Sequence, residues 1–202
     1  MPLDTLDQNR IKEFYEESFK EFGDRDARSL HWSDKDGQIT RFNILLNIAN
    51  ITGASLLDVG CGFGDLYKYL LERQIDANYT GIDIIPEFIA TAKTRYPDAT
   101  FECKDIFDCS RHFDCIFASG ALSFKVKDNN NYYRSMIKKM YDLADRAVAF
   151  NMLNSTIHVD DSIYASYSPD EIGEFCKTFC DDVEIVVGYL PQDFTIYLHK
   201  TR

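Results

Sequence analysis

Apolar residues along this chain follow two spacings in turn. Near the start, Ile11, Phe14, Tyr15, Phe19 and Phe22 recur every three or four residues, the stripe of an amphipathic helix, and Gly23-Asp24 supplies its stop. A polar linker follows, in which Asp36-Gly37 reads as a turn. A second stripe (Phe42, Leu45, Leu46, Ile48 and Ala49) then predicts a helix from Thr40 to near Thr52-Gly53. From Leu56 onward, short continuous apolar runs alternate with helical stripes. The runs predict strands over 56–59, 79–84, 100–103, 113–118, 147–152, 183–188 and 194–198. The stripes between them predict helices over 65–73, 86–95, 131–144 and 169–179. Pro86 suits a first helical turn, and Ser168 with Glu171 forms a capping box for the last helix.

The final two strands are separated only by residues 189–193, too short for a helical crossover, so they should pair antiparallel. The preceding strand–helix alternation specifies an α/β fold: a mostly parallel sheet with helices on both faces and one antiparallel strand. We read residues 1–202 as one domain, with an N-terminal helical segment (1–50) ahead of a sheet core (54–202). A helix before the first strand has no required place in such a sheet. It either packs on the core edge or serves as a lid over a site. Residues 119–130 and 151–168, after the fourth and fifth strands, carry no periodicity and read as long loops. In open α/β sheets, loops at the carboxyl ends of strands build the ligand site.

Composition narrows the function classes. With 45% hydrophobic and 14% aromatic residues, the chain can bury a core. Its net charge is −11, from 22 basic and 33 acidic side chains, which argues against a phosphate-backbone binder and towards small molecules. No apolar run approaches the roughly 20 residues of a membrane span, and the start Met1-Pro2-Leu3-Asp4 lacks the pattern of a signal peptide. Most of the six cysteines sit in apolar surroundings, as reduced thiols of a cytoplasmic protein do. No metal site is expected: Cys176 and Cys180 open like an iron–sulfur motif, but residue 183 is valine where a third ligand would stand.

The chemistry concentrates in Ser55-Leu56-Leu57-Asp58-Val59-Gly60-Cys61-Gly62-Phe63-Gly64-Asp65-Leu66, a buried strand, a tight turn and a helix start. Glycines there allow left-handed backbone and let a ligand lie against the main chain, beside the unpaired N–H groups of the helix. A dinucleotide fingerprint would need glycine at 65, where aspartate stands, and the lysine of a P-loop is absent. A second acid, Asp83, ends the next strand in Gly81-Ile82-Asp83, 19 residues after Gly64 (83 − 64), where a carboxylate can accept from both ribose hydroxyls. Asp105 follows the third strand.

From about Leu56 to Phe124 these residues resemble the class I S-adenosylmethionine-dependent methyltransferases, and the later order of elements agrees. The resemblance implies a Rossmann-like three-layer sandwich with strand order 3-2-1-4-5-7-6, strand seven antiparallel. It implies S-adenosyl-L-methionine as cofactor and S-adenosyl-L-homocysteine as product. Asp58, Gly60, Cys61 and Gly62, with Asp65 and Leu66 after them, match the segment around the methionine part. Asp83 and Ile84 match the ribose position, Asp105 and Ile106 the adenine position, and Ser119 the segment beside the sulfonium. Trp32, Arg41 and the closing Tyr189–Thr195 stretch are also similar to a group of small bacterial-type methyltransferases of unassigned substrate, which adds Trp32 and Arg41 to the expected cofactor residues. On the residues alone, Trp32 takes either a core slot or a ligand's cover. Arg41, in a first helical turn unfavourable to a cation, is either held by an anion or solvated.

The implied reaction is in-line methyl displacement to an oxygen or nitrogen of a small-molecule acceptor, for which the protein aligns the nucleophile and excludes water. A general base is needed only where the acceptor has a proton to lose; His31 and His158 are the weak candidates, with Asp34 and Asp160 in reach. Tyr132, Tyr133, Tyr164 and Tyr167 could wall an amine or aryl acceptor. No Asn/Asp-Pro-Pro-Tyr/Phe follows strand four and no Pro-Cys occurs, which disfavours amide, adenine and pyrimidine-carbon methylation. Two readings stay open beside this one. The same fold could transfer an aminopropyl group, or the chain could be a non-catalytic cofactor-binding partner subunit.

Overall fold

Along the first strand, β1 (Ser55–Val59), successive side chains enter different cores: Leu56 packs with one buried cluster and Leu57 with another. That two-residue alternation makes the sheet the middle of three layers. The computed structural model, which describes residues 2–23, 29, 35–157 and 162–200, adds β2 (Asn78–Asp83), β3 (Thr100–Cys103), β4 (Phe113–Ala118), β5 (Ala144–Leu153), β6 (Asp182–Val187) and β7 (Asp193–His199). They form one seven-stranded sheet in the order β3-β2-β1-β4-β5-β7-β6. The pairs from β3 through β5 are parallel, and β7 runs antiparallel to both its neighbours. This is the expected Rossmann-like order.

The helices are α1 (Thr5–Phe22), α2 (Lys35–Leu46), α3 (Asp65–Glu72), α4 (Pro86–Arg95), α5 (Asn129–Leu143) and α6 (Pro169–Lys177). One face of the sheet is covered by side chains such as Met136, Ile137 and Met140 of α5 and Ile172 of α6, with Ile11 of α1. The other is covered by Phe42 and Leu45 of α2, Leu66 and Leu70 of α3, and Ala92 of α4. At the amino ends of the strands, Ser55 and Asp114 lock β1 to β4: the Ser55 N–H and hydroxyl both donate to Asp114 Oδ2 at 2.8 Å, and the Asp114 N–H donates back to Ser55 Oγ. The site is thereby left to the opposite, carboxyl ends.

Three local expectations are corrected. Helix α2 starts at Lys35 and ends at Leu46, so Asp36-Gly37 is helical; Gly37, Gln38, Phe42 and Leu45 are buried on its inner face, and that packing overrides the turn preference. Arg41 consequently lies beyond the first turn. The two long loops are shorter than predicted, because α5 begins at Asn129 under an Asp128 cap and β5 runs on to Leu153. Their remainders also pair with each other: Lys125 N–H donates to Ile163 O at 2.6 Å, and Ala165 N–H to Ser123 O at 2.8 Å. Helix α1 joins these paired loops through buried Asp7, which accepts from Lys127 N–H at 2.9 Å. All six cysteines are free thiols, five of them buried.

Candidate functional site

The strand ends converge on the glycine turn after β1. Gly60 and Cys61 both donate their N–H to Ile82 O, at 2.8 and 3.0 Å, folding the turn onto the end of β2. Gly60 has φ +74, and a Cβ there would stand 2.6 Å from the Cβ of Ala121, so the position needs both the left-handed backbone and the missing side chain. Gly64, at φ +83, caps α3.

Asp83 at the end of β2 is held by two backbone donors: Gly62 N–H to Oδ2 and Ile85 N–H to Oδ1, each 3.0 Å. Burial pushes its carboxyl up to about 6, against the pull of those N–H groups. Each oxygen keeps accepting capacity towards the cavity. Asp105, just after β3, caps a 3-10 turn (Ile106–Asp108) by accepting Phe107 N–H on Oδ1 at 3.0 Å. Its Oδ2 is buried without a hydrogen-bond partner, and burial raises this carboxyl too. Asp58 in β1 is 2% exposed and accepts the Tyr79 hydroxyl at 2.6 Å. Burial, opposed by that hydrogen bond and then reinforced by Asp83 and Asp65, lifts its carboxyl to about 7.

These groups face one cavity of about 1050 Å³, its open mouth included. Asp58, Gly60, Cys61, Gly62, Asp65, Leu66, Asp83, Ile84, Asp105, Ile106 and Ser119 all line it, so the structure brings together eleven of the thirteen expected cofactor residues. Arg41 is not on the wall. Its guanidinium pairs at 2.6 Å with buried Asp193 of β7, so of the two alternatives it is held by an anion, a side chain of this chain. Trp32, His31 and His158 lie outside the described residues, as do Asp34 and Asp160. Of the four tyrosines proposed as a wall, Tyr132 and Tyr133 line the cavity. Tyr164 instead packs edge-on against Phe14 and Phe124, and the Tyr167 hydroxyl accepts from Asn129.

The sequence left α1 as either a core-edge helix or a lid without naming its lining residues, and gave no sign of a side wall from α2. Leu3, Ile11 and Tyr15 cover the cavity from the N-terminal segment. Gln38 and Phe42 enter from α2, and Gln38 donates to Asp65 Oδ2 at 3.2 Å. Ile11 and Tyr15 stand on the apolar stripe of α1 and were legible as inward-facing; Gln38 carried no signal. Asn151 of β5 is a further support: its Oδ1 accepts Gly120 N–H at 2.8 Å, fixing the post-β4 loop beside the cradle. Among the described residues no cluster of His, Cys, Asp or Glu is placed to hold a metal ion, and no helix is long and apolar enough to cross a membrane.

The donor set fits an adenosyl ligand. A buried carboxylate oxygen without a partner suits an amine donor, a backbone-held carboxylate suits a diol, and the glycine turn has no room for side chains of its own. Known proteins agree with this geometry. A methyltransferase-domain family model matches residues 56–147. The protein Rv1506c of Mycobacterium tuberculosis, provisionally named a methyltransferase, is 31% identical over 158 residues, 72% of this chain and 93% of that one. The magnesium protoporphyrin IX methyltransferase of Synechocystis PCC 6803, solved with bound S-adenosylmethionine, shares the fold at a TM-score of 0.72 and 14% identity over 99% of both chains. The plantazolicin methyltransferase BpumL shares it at 0.69 and 19% identity, over 96% of this chain and 100% of that one. With its strand order, its glycine turn and a relative matched over nearly its whole length, the chain belongs to the class I S-adenosylmethionine-dependent methyltransferases.

Proposed function

We propose that this cavity binds S-adenosylmethionine and that the enzyme methylates an oxygen or nitrogen of a small-molecule acceptor. The observation that carries the reading is the pair of strand-end carboxylates, Asp83 and Asp105, each oriented by backbone N–H groups on one side and open to the cavity on the other. In this reading Asp83 and Ile84 hold the ribose, Asp105 and Ile106 the adenine, and Asp58, Gly60, Cys61, Gly62, Asp65 and Leu66 surround the methionine part. Ser119 stands beside the reacting centre. When bound, the donor supplies a methyl carbon already activated by its sulfonium. The chain's own part is to orient the acceptor and exclude water. Helix α1 serves as the lid, since Ile11 and Tyr15 roof the cavity and Asp7 ties the helix to the post-β4 loop.

Four aspartates on the wall and a net charge of −11 favour a small acceptor over a nucleic acid. The six free thiols support a cytoplasmic location. Calorimetry with S-adenosylmethionine tests the donor, and an acceptor screen reading S-adenosylhomocysteine tests the transfer. Failure of the donor to bind would overturn the assignment of the cavity.

A further inference from the structure

We propose that Tyr79 is a positioning residue: its hydroxyl sets the orientation and ionisation of Asp58 in the donor cradle. This rests on the reading that the cavity binds S-adenosylmethionine. The geometry starts from the register of β1 on β2, where Leu56 lies opposite Tyr79 and Asp58 opposite Gly81. Leu56 and Asp58 therefore share a face with Tyr79 and Gly81. Gly81 offers no side chain to Asp58, and a Cβ there would stand 2.8 Å from Cys61 Sγ, so the turn fills that space. The tyrosine one pair back along the strand reaches over instead, and its hydroxyl donates to Asp58 Oδ2 at 2.6 Å. The ring cannot swing away. Tyr67 holds it at a centroid distance of 5.0 Å and Phe101 at 5.7 Å, and both members of the pair are buried.

The charges around Asp58 make that one donor consequential. From β2 it faces Asp83, from α3 Asp65, and from the turn the Cys61 thiol. On the β4 side its register partner is Phe117, which brings no charge. The acids and burial favour the neutral carboxyl, with its group near 7, and Tyr79 pulls the other way. A carboxyl so balanced is about half ionised at neutral pH. A ligand bearing an ammonium and a sulfonium draws the ionised form. On binding, the carboxyl O–H bond breaks, the pair stays on oxygen as carboxylate, and the proton passes to buffer. Without the Tyr79 hydroxyl, the free enzyme would hold more of that proton at pH 7.

Calorimetric titration of the whole chain with S-adenosylmethionine at pH 7, in buffers of different ionisation enthalpy, counts the protons released. Wild type should release about half a proton from Asp58 and about a tenth from Asp83. Tyr79→Phe keeps the ring and its packing; its release should rise towards one proton, and its affinity should fall several-fold at pH 7 and recover above pH 9. Asp58→Asn should drop the count to the Asp83 share. In the Asp58→Asn background, adding Tyr79→Phe should leave the proton count unchanged and cost less affinity than it does with Asp58 present, a comparison that holds even where the single variant is less stable. A Tyr79→Phe protein with the wild-type proton count and pH profile would reduce Tyr79 to packing and overturn the proposal. An effect of equal size in the Asp58→Asn background would overturn it as well. Wild type that does not bind the donor at all would instead bring down the reading of the cavity, and this proposal with it.

Discussion

Replacing Asp58 by asparagine removes a buried ionisable group and leaves an oxygen to accept the Tyr79 hydroxyl. The group's ordinary value of 3.8 holds in the unfolded chain, and in the fold it stands near 7. A carboxyl raised on folding lends its stability fully below 3.8, and that share is lost as pH climbs to and through 7, because only the unfolded chain ionises freely in that window. At pH 5 roughly one unit of the difference has been spent, and at pH 8.5 all of about three, so the cost added between them is about 3 kcal/mol. Asp58→Asn does not bear that cost. Its stability relative to wild type should improve by about 3 kcal/mol from pH 5 to pH 8.5, whatever fixed offset the amide brings. Urea unfolding followed by circular dichroism at pH 5, 7 and 8.5, with unchanged slopes, measures this directly. Wild-type and variant stabilities that run parallel across the range would refute the account of Asp58 as a carboxyl held neutral by its surroundings.

Three further outcomes follow from the site. Asp83→Ala removes an acceptor for two hydroxyls and should weaken S-adenosylmethionine binding by about 2–4 kcal/mol, roughly 30- to 1000-fold, read by calorimetry. Asp105→Ala loses a single hydrogen bond to an amine and should cost about 1–2 kcal/mol, with adenosine-containing ligands affected and methionine alone unaffected. Gly60→Ala places a Cβ 2.6 Å from Ala121 Cβ at φ +74, and should lower stability by about 2 kcal/mol or more. Adding Ala121→Gly should restore the steric share of that loss and leave the backbone share of about 1 kcal/mol, both visible by thermal melting.

What the chain revealed in advance depended on whether the cause was local. The strand-end acids were legible because a carboxylate placed one crossover after a glycine turn must arrive at the same sheet edge, and Asp83 and Asp105 did. Sheet order came with the family resemblance; connection length alone gave only the antiparallel pairing of the last two strands. Arg41 shows the limit. Its position in the helix was misjudged because burial of Gly37 and Gln38 starts α2 earlier than turn chemistry suggests, and its partner Asp193 lies 152 residues away (193 − 41). Tyr79 was read only as a strand residue; that its hydroxyl meets Asp58 depends on register and on an empty Gly81, neither of which periodicity encodes. The pairing of the two loops was hidden for the same reason. The pairing of Lys125 with Ile163 joins two stretches without any pattern of their own, and only the folded sheet brings them side by side.

The place of β7 between β5 and β6 bears on how the chain is made as well as on how it looks. Strand β5 ends at Leu153 and its neighbour begins at Asp193, 40 residues later (193 − 153). At about 5–20 residues per second of synthesis, that is an interval of about 2–8 s. Throughout it the nascent sheet carries an open, largely apolar edge from Ala144 to Leu153, and β6 emerges with nothing to pair with. The donor cradle, built at the ends of β1 to β4, can assemble before the sheet is closed. A nascent chain arrested in that window would carry a nearly formed site and an unguarded strand, the combination that invites capture by a chaperone or by a second chain.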